Sequence, residues 1–350
     1  MAIDLSANIG SGSVRAPLDE RKLHAWMCDH IPDFGGPLRI EQFNGGQSNP
    51  TYRLITDERS YVLRRKPPGE LLSGAHDVMR EARVLMALAP SEVPVPRVLG
   101  RCDDPGIIGT DFYIMELVEG RIFWDASFSD VGHADRAAYF DAMNRTISAL
   151  HSVDPATVGL ADFGRAENYV QRQIRRWTRQ YLEDELAGRD PNMDLLIEWL
   201  PQATPSQSDV VIVHGDFRAD NLIFHPSKPE VSAVLDWELS TLGDPLADFA
   251  YHALVFRMPP DIMAGLEGCN LADLGLPTEE AYVEAYCART GRAEIANWPF
   301  YLAFNLFRLA AIMHGIKGRI LRGTASSPQA GQRVAGMARL ALLARETMES

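Results

Sequence analysis

Residues 210–238 read VVIVHGDFRADNLIFHPSKPEVSAVLDWE, and the spacing of their polar side chains decides the fold. The run Val210 to Val213 is apolar and β-branched, which predicts a buried strand. It delivers His214, Gly215 and Asp216, and Asn221 follows at D-x-x-x-x-N spacing. A polar hairpin and a second apolar strand then lead to Asp236. Three oxygen-bearing side chains therefore stand at the ends of adjacent strands, where backbone geometry aims them at one point. Asp and Asn also cap turns, but capping does not demand this spacing. His214 needs no role beyond bracing the loop by hydrogen bonding.

The interval from Asp216 to Asn221 is that of a kinase catalytic loop. There the Asp accepts the proton of a substrate hydroxyl and the Asn holds a magnesium ion. Asp236 takes the place of the second magnesium-binding residue. The stretch is a phosphotransfer signature.

The 350 residues, 46% hydrophobic, suffice for a large core and one two-lobed unit. Cys28, Cys102, Cys269 and Cys287 lie far apart, which predicts a reducing compartment and no cysteine metal site. The N-terminal segment lacks a basic region followed by an apolar run, and no uninterrupted apolar stretch reads as a membrane span. A cytoplasmic protein without membrane partners is expected. The net charge of −13 argues against nucleic acid as a partner. Residues 301–350 nevertheless carry seven Arg/Lys against two acids.

Upstream of the loop, residues 1–17 read as a flexible tail and 18–30 as a helix with Leu23, Trp26 and Met27 on one face. Strands are predicted over 38–43 and 51–56, joined by a turn that contains Gly45, Gly46, Gln47, Ser48 and Asn49. Glycines there would let backbone amides approach phosphates, although a plain hairpin turn has the same composition. In the next strand, 60–66, alternation puts Val62, Arg64 and Lys66 on one face. Val62 fits the slot above an adenine and Arg64 the phosphate-holding slot, where protein kinases carry Lys. Glu81, on a helix over 77–88, is placed to pair with that cation. Strands over 97–102 and 111–115 follow, and the second runs into the connector 117–121. Met115, with the backbone of Glu116 and Val118, would meet the adenine. Residues 18–116 thus form an N-lobe, and the mostly helical 122–350 a C-lobe. The fold class is α+β, bilobal and protein-kinase-like.

The motifs GGQSNPTY, YVLRRKP, FYIMELVEG, HGDFRADN and LDWELSTLGDPLADFAY together resemble the aminoglycoside phosphotransferase superfamily, small-molecule relatives of protein kinases. The segment FNLFRLAAIMHGIKGRILRGTASS is similar to the subgroup related to the kinase-like domain of acyl-CoA dehydrogenase family members 10 and 11. The resemblance implies transfer of the γ-phosphoryl of ATP, with Mg²⁺, to a small-molecule hydroxyl. It assigns Asp216 as base, Asn221 and Asp236 as magnesium ligands, and Arg64 with Glu81 as the phosphate-holding pair. It also gives Asp248 a bracing role under the catalytic loop, while Asp244 caps the helix that opens at Pro245. Arg218 is a catalytic candidate through transferred charge, or the partner of a loop salt bridge. ATP over GTP, and monomer over homodimer, are left open.

Two basic features bear on the acceptor. Arg172, Arg175, Arg176 and Arg179 recur at helical spacing, and Asn305 and Arg308 interrupt an otherwise apolar helix. A polar face inside such a helix needs a buried partner or a ligand. Trp177, Asn305 and Arg308 are the candidate acceptor contacts, and an anionic acceptor such as a hydroxyacyl-CoA is expected. The alternative is a nucleotide-binding, pseudokinase-type regulatory module without turnover, favoured only by the Arg at position 64 and the loose glycine turn. No D-F-G or A-P-E segment supports a protein kinase proper.

Overall fold

The computed structural model describes the backbone of residues 2–4, then residues 18–43, 49–69, 76–206, 209–324, 331 and 334–349. The first strand, β1 (Ala2–Asp4), lies within the expected tail; residues 1 and 5–17 are outside the described set. Helix α1 (Glu20–His30) starts where the Asp19 carboxylate accepts the Lys22 amide at 3.1 Å. Its apolar stripe of Leu23, Trp26 and Met27 is buried against Tyr52, Tyr61, Leu63 and Phe112, so the helix belongs to its own lobe. Trp26 meets the Phe112 ring edge-on at 4.9 Å.

The small lobe continues with β2 (Arg39–Gln42), β3 (Thr51–Ile55), β4 (Ser60–Arg65), α2 (Val78–Leu88), β5 (Val98–Cys102), the short α3 (Pro105–Ile108) and β6 (Phe112–Glu116). The five strands form one antiparallel sheet in the order β2-β3-β4-β6-β5. Alternation along β4 sends Tyr61 and Leu63 to the α1 face, and Val62 to the α2 face together with Leu85 and Met115. The register sets Val62 opposite Met115 and Arg64 opposite Tyr113. The connector ends at Gly120, because Arg121 already begins β7 (Arg121–Phe123), which pairs with β1 and β9.

The large lobe holds α4 (Arg136–His151), α5 (Tyr169–Glu183), α6 (Pro191–Ala203), β8 (Val211–Val213), β9 (Leu222–Phe224), β10 (Val231–Val234), β11 (Thr241–Gly243), α7 (Pro245–Ala253), α8 (Leu271–Leu274), α9 (Glu279–Thr290), α10 (Trp298–Leu321) and α11 (Met337–Met348). Its strands form the sheet β1-β7-β9-β10 and the pair β8-β11. Pairing of Val234 with Leu222 brings the residue before β9 and those after β10 to one end of the hairpin. There the Leu235 amide donates to Asn221 O at 2.8 Å, which sets Asn221 beside Asp236.

Helix α10 runs five residues beyond the expected end at 316. Gly318 permits this, since a Cβ there would lie 1.8 Å from the Asp184 carboxylate. By length and hydropathy α10 could also cross a membrane, but 83% of its apolar window is buried inside the protein, as suits a core helix. It is the central element of the lobe, flanked by α5, α7 and α11.

Candidate active site

Strand β8 is fully buried and ends in a loop tied down on both sides. The backbone amides of His214 and Gly215 donate to the two oxygens of Asp248, each at 2.8 Å. Asp248 is itself buried on α7 and receives His151 Nε2 at 3.2 Å. Burial pushes its carboxyl up, yet His151, His214 and the backbone donors outweigh that and hold it below its ordinary value. The Asp216 amide donates to His214 Nδ1 at 3.2 Å, so Nε2 carries the proton that His214 gives to Leu235 O at 2.8 Å. His214 is thus a brace between the two strands. Gly215 has φ +85, a conformation that a side chain would strain.

Asp216 faces upward from this loop with both oxygens engaged. Oδ2 accepts the Asn221 amide at 3.1 Å, and Oδ1 accepts the Tyr251 hydroxyl at 2.5 Å. Asn221 also donates to Asp216 O at 2.8 Å, so its nitrogen is committed and its oxygen is left for a ligand. Asp236 sits at φ 64 and ψ 60, a left-handed conformation that costs a non-glycine residue roughly 1–3 kcal/mol. That conformation ends β10 sharply and presents the carboxylate to the cleft.

Arg64 completes the ensemble from the small lobe. Its Nε lies 2.6 Å from Glu81 Oε2 and its Nη2 2.8 Å from Asp236 Oδ1. Burial works against the guanidinium charge, but Glu81, Tyr113, Asp236 and Glu238 together raise its pKa above the ordinary arginine value. Glu81 is buried and receives the Tyr113 hydroxyl at 3.2 Å and the Asn49 amide at 2.5 Å. The Arg64–Glu81 pair expected from sequence is therefore formed. Asn49 is corrected: it is fully buried and supports Glu81, because a buried carboxylate needs donors. Gly45, Gly46, Gln47 and Ser48 lie outside the described residues.

A cleft of about 210 Å³ opens between the lobes. Val62 and Met115 line its small-lobe side, Ile223 and Val234 its large-lobe side, and Asn221, Asp236 and Arg64 its polar end. Glu116 and Val118 line it along the connector. The Glu116 amide donates to Arg97 O at 3.0 Å, so this residue has no backbone N–H to offer a ligand. An apolar cleft with charge at one end suits a flat ring carrying an anionic tail. Asp236 and Asn221 offer oxygen donors only, the chemistry of a hard divalent ion shared with phosphate oxygens. Among the described residues no group of three or more His, Cys, Asp or Glu could hold a metal alone.

The catalytic candidate Arg218 and the acceptor candidates Asn305, Arg308 and Trp177 all lie outside the lining of the cleft. Arg218 forms a two-pronged bridge to Asp220, with Nε 2.6 Å from Oδ1 and Nη2 on Oδ2. Asn305 donates to Ala247 O at 2.8 Å and Tyr301 O at 3.0 Å, so the chain itself supplies its buried partners. Arg308 donates to Gly215 O at 2.7 Å and lies over the Tyr251 ring at 5.1 Å. Trp177 is half-buried on α5, donates to Gln173 Oε1 at 3.1 Å and lies outside the cleft. Of the two polar interruptions of α10, Arg308 holds the 214–221 loop and Asn305 ties the helix to α7. The arginine stripe does face water at Arg175, Arg176 and Arg179, and Arg176, Arg179 and Arg322 border one groove. Tyr251 and His151 were missed from sequence; for Tyr251 the signal available was its three-residue spacing from Asp248, which puts both on one face of α7 toward the loop.

A second, narrow chamber of about 70 Å³ adjoins the loop beyond Asp220. Phe128, Met143, Met258, Leu309 and the Tyr251 ring wall it, and Trp124 and Asp220 border both chamber and cleft.

The family model described as "Phosphotransferase enzyme family" matches residues 39–304. Acyl-CoA dehydrogenase family member 10 of Mus musculus is 48% identical over 311 residues, which cover 87% of this chain and 29% of that protein. The chain thus spans under a third of that relative's length. A crystal structure from Ralstonia eutropha, described as a candidate aminoglycoside phosphotransferase, is 46% identical with a TM-score of 0.88, covering 95% of this chain and 99% of that one. Spectinomycin phosphotransferase, solved with ADP and spectinomycin, shares the fold with a TM-score of 0.63 at 12% identity, covering 95% of this chain and 100% of that one.

Proposed function

The chain belongs to the phosphotransferase enzyme family, and from that premise we propose that it moves the γ-phosphoryl group of ATP to a hydroxyl of a small anionic molecule. The observation that carries the reading is the bridge from Arg64 to Asp236, at 2.8 Å, above a loop that presents Asp216 and Asn221. Arg64, Asn221 and Asp236 line the polar end of one cleft, and Asp216 is bonded to Asn221 beside them. Arg64 holds the nucleotide phosphates from above, and its fork can contact two oxygens at once. Asp216 orients the acceptor hydroxyl and takes its proton late in the transfer. Magnesium, when bound, neutralises the β- and γ-phosphate charge, and Asp236 and Asn221 are the side chains that would hold it.

We take a hydroxyacyl-CoA as the acceptor class. The name of the mouse relative pairs this kind of chain with acyl-CoA chemistry. The chamber beside the catalytic loop is walled by apolar side chains, which suits an acyl body better than a polycationic sugar. The solvent-facing arginines of α5 supply positive potential on the same lobe.

The test is ADP release from Mg·ATP across hydroxyacyl-CoAs, choline, aminoglycosides and sugars, with Asp216→Asn as control. Acceptor-dependent release with hydroxyacyl-CoAs that the variant lacks supports both parts of the reading. Release with aminoglycosides alone removes the acceptor assignment. Tight nucleotide binding with no turnover on any acceptor favours a regulatory module.

A further inference from the structure

We propose that Tyr251 is a positioning residue for the base Asp216 and that Arg308 fixes Tyr251 in that role; the inference rests on the phosphotransfer reading above. The Tyr251 hydroxyl is 2.5 Å from Asp216 Oδ1, and the Asn221 amide holds the other oxygen at 3.1 Å. A carboxylate gripped on both oxygens cannot rotate without losing both bonds, and each oxygen keeps lone-pair capacity for the acceptor hydroxyl. Asn221 comes from the loop itself, whereas Tyr251 comes from α7, the helix that also supplies Asp248. One rigid helix therefore sets the loop backbone through Asp248 and the base side chain through Tyr251.

Arg308 makes the arrangement stiff. Its buried guanidinium covers the Tyr251 ring at 5.1 Å and donates to Gly215 O at 2.7 Å, one residue before the base. A cation on the face of a buried aromatic ring restrains its tilt and so the direction of its hydroxyl. Burial and the neighbouring Asp216 charge push the Tyr251 phenol above its ordinary pKa, which keeps it a donor throughout the working range. This gives Arg308 a function in a helix where an isolated buried arginine would only be a cost.

Catalysis depends on the acceptor oxygen meeting its base in a narrow range of geometry. Loss of the Tyr251 hydroxyl leaves the cleft intact and frees the base, so turnover falls while nucleotide binding does not. Tyr251→Phe keeps the ring and its contact with Arg308. The measurements are Mg·AMP-PNP affinity by calorimetry, and kcat and KM for ATP, using water and then the fastest acceptor of the panel. The expected result is affinity and KM for ATP within about twofold of wild type and kcat lower by about ten- to a hundredfold.

An active wild type matched by Tyr251→Phe in kcat overturns the inference alone. So does a variant whose nucleotide affinity falls in step with kcat, which marks a general structural defect. A wild type that releases no ADP with any acceptor overturns the phosphotransfer reading, and this inference with it.

Discussion

The guanidinium of Arg64 reaches across the cleft to Asp236, Nη2 to Oδ1 at 2.8 Å, while its Nε stays 2.6 Å from Glu81. A single forked cation thereby ties helix α2 and strand β4 of one lobe to the hairpin end of the other. Lysine, a point charge on a flexible stem, could serve one carboxylate or the other but not both with the same planarity. Arg64→Lys is expected to retain nucleotide binding with KM for ATP raised severalfold. Arg64→Met leaves Glu81 buried without its cation and should cost roughly 3–5 kcal/mol in a denaturant melt. Equal stability of the Met variant and wild type would remove the pair from the lobe-linking role.

Asp236 and Asn221 form an oxygen-only donor set, so Asp236→Asn should raise the magnesium concentration for half-maximal ADP release by at least about tenfold. Chelation by EDTA should abolish turnover and leave the thermal melt in place, because the described residues build no metal-dependent core. An unchanged magnesium titration in Asp236→Asn would place the ion elsewhere.

His252 is buried beneath Phe217, with Nε2 2.6 Å from the Tyr282 hydroxyl, and burial lowers its pKa from 6.5 to about 4. Between those two pH values the unfolded chain binds more protons than the folded one, so stability falls as pH falls. The contribution is complete above 6.5 and lost on the way down to about 4, on the order of 3 kcal/mol. His252→Gln should flatten the dependence of Tm on pH across that window. A curve as steep as that of wild type would sink the assignment.

Asn305 is bonded to Ala247 O and Tyr301 O and lies away from the cleft. Asn305→Ala is expected to lower stability by roughly 1–2 kcal/mol through its lost hydrogen bonds. KM for the acceptor should not move. A raised acceptor KM with unchanged stability would return Asn305 to the binding site.

Arg175, Arg176 and Arg179 face solvent along α5. If they attract an anionic acceptor, reversing all three to Glu should raise acceptor KM at low salt and leave KM for ATP alone. The effect should shrink as salt rises, since exposed charges are screened. No change in acceptor KM at low salt would confine these arginines to solubility.

The motif H-G-D-x4-N and the alternation of β4 made much of the site legible. Strand period alone put Val62 and Arg64 on the face that lines the cleft, and the hairpin between Asn221 and Asp236 brought those residues to one end. Polar residues within helices were not legible in the same way. Asn305 and Arg308 stood out as anomalies, but periodicity could not say whether a ligand or the chain itself would satisfy them. Asn49 read as part of a phosphate turn, whereas it serves a carboxylate 32 positions away.

By itself the sequence determined the two-lobed order, the placing of Asp216, Asn221 and Asp236 at the ends of neighbouring strands, and the cation Arg64 that faces Asp236. All of these follow from spacing along a strand or loop, where local geometry limits which side chains can meet. Only the tertiary structure decided that Tyr251 grips Asp216, that Arg308 holds the loop, and that Arg218 turns to Asp220. Arg308 and Gly215 lie 93 positions apart and Tyr251 and Asp216 lie 35 apart. Such pairs are fixed by how helices pack on the loop, and a buried polar group takes whichever partner that packing presents.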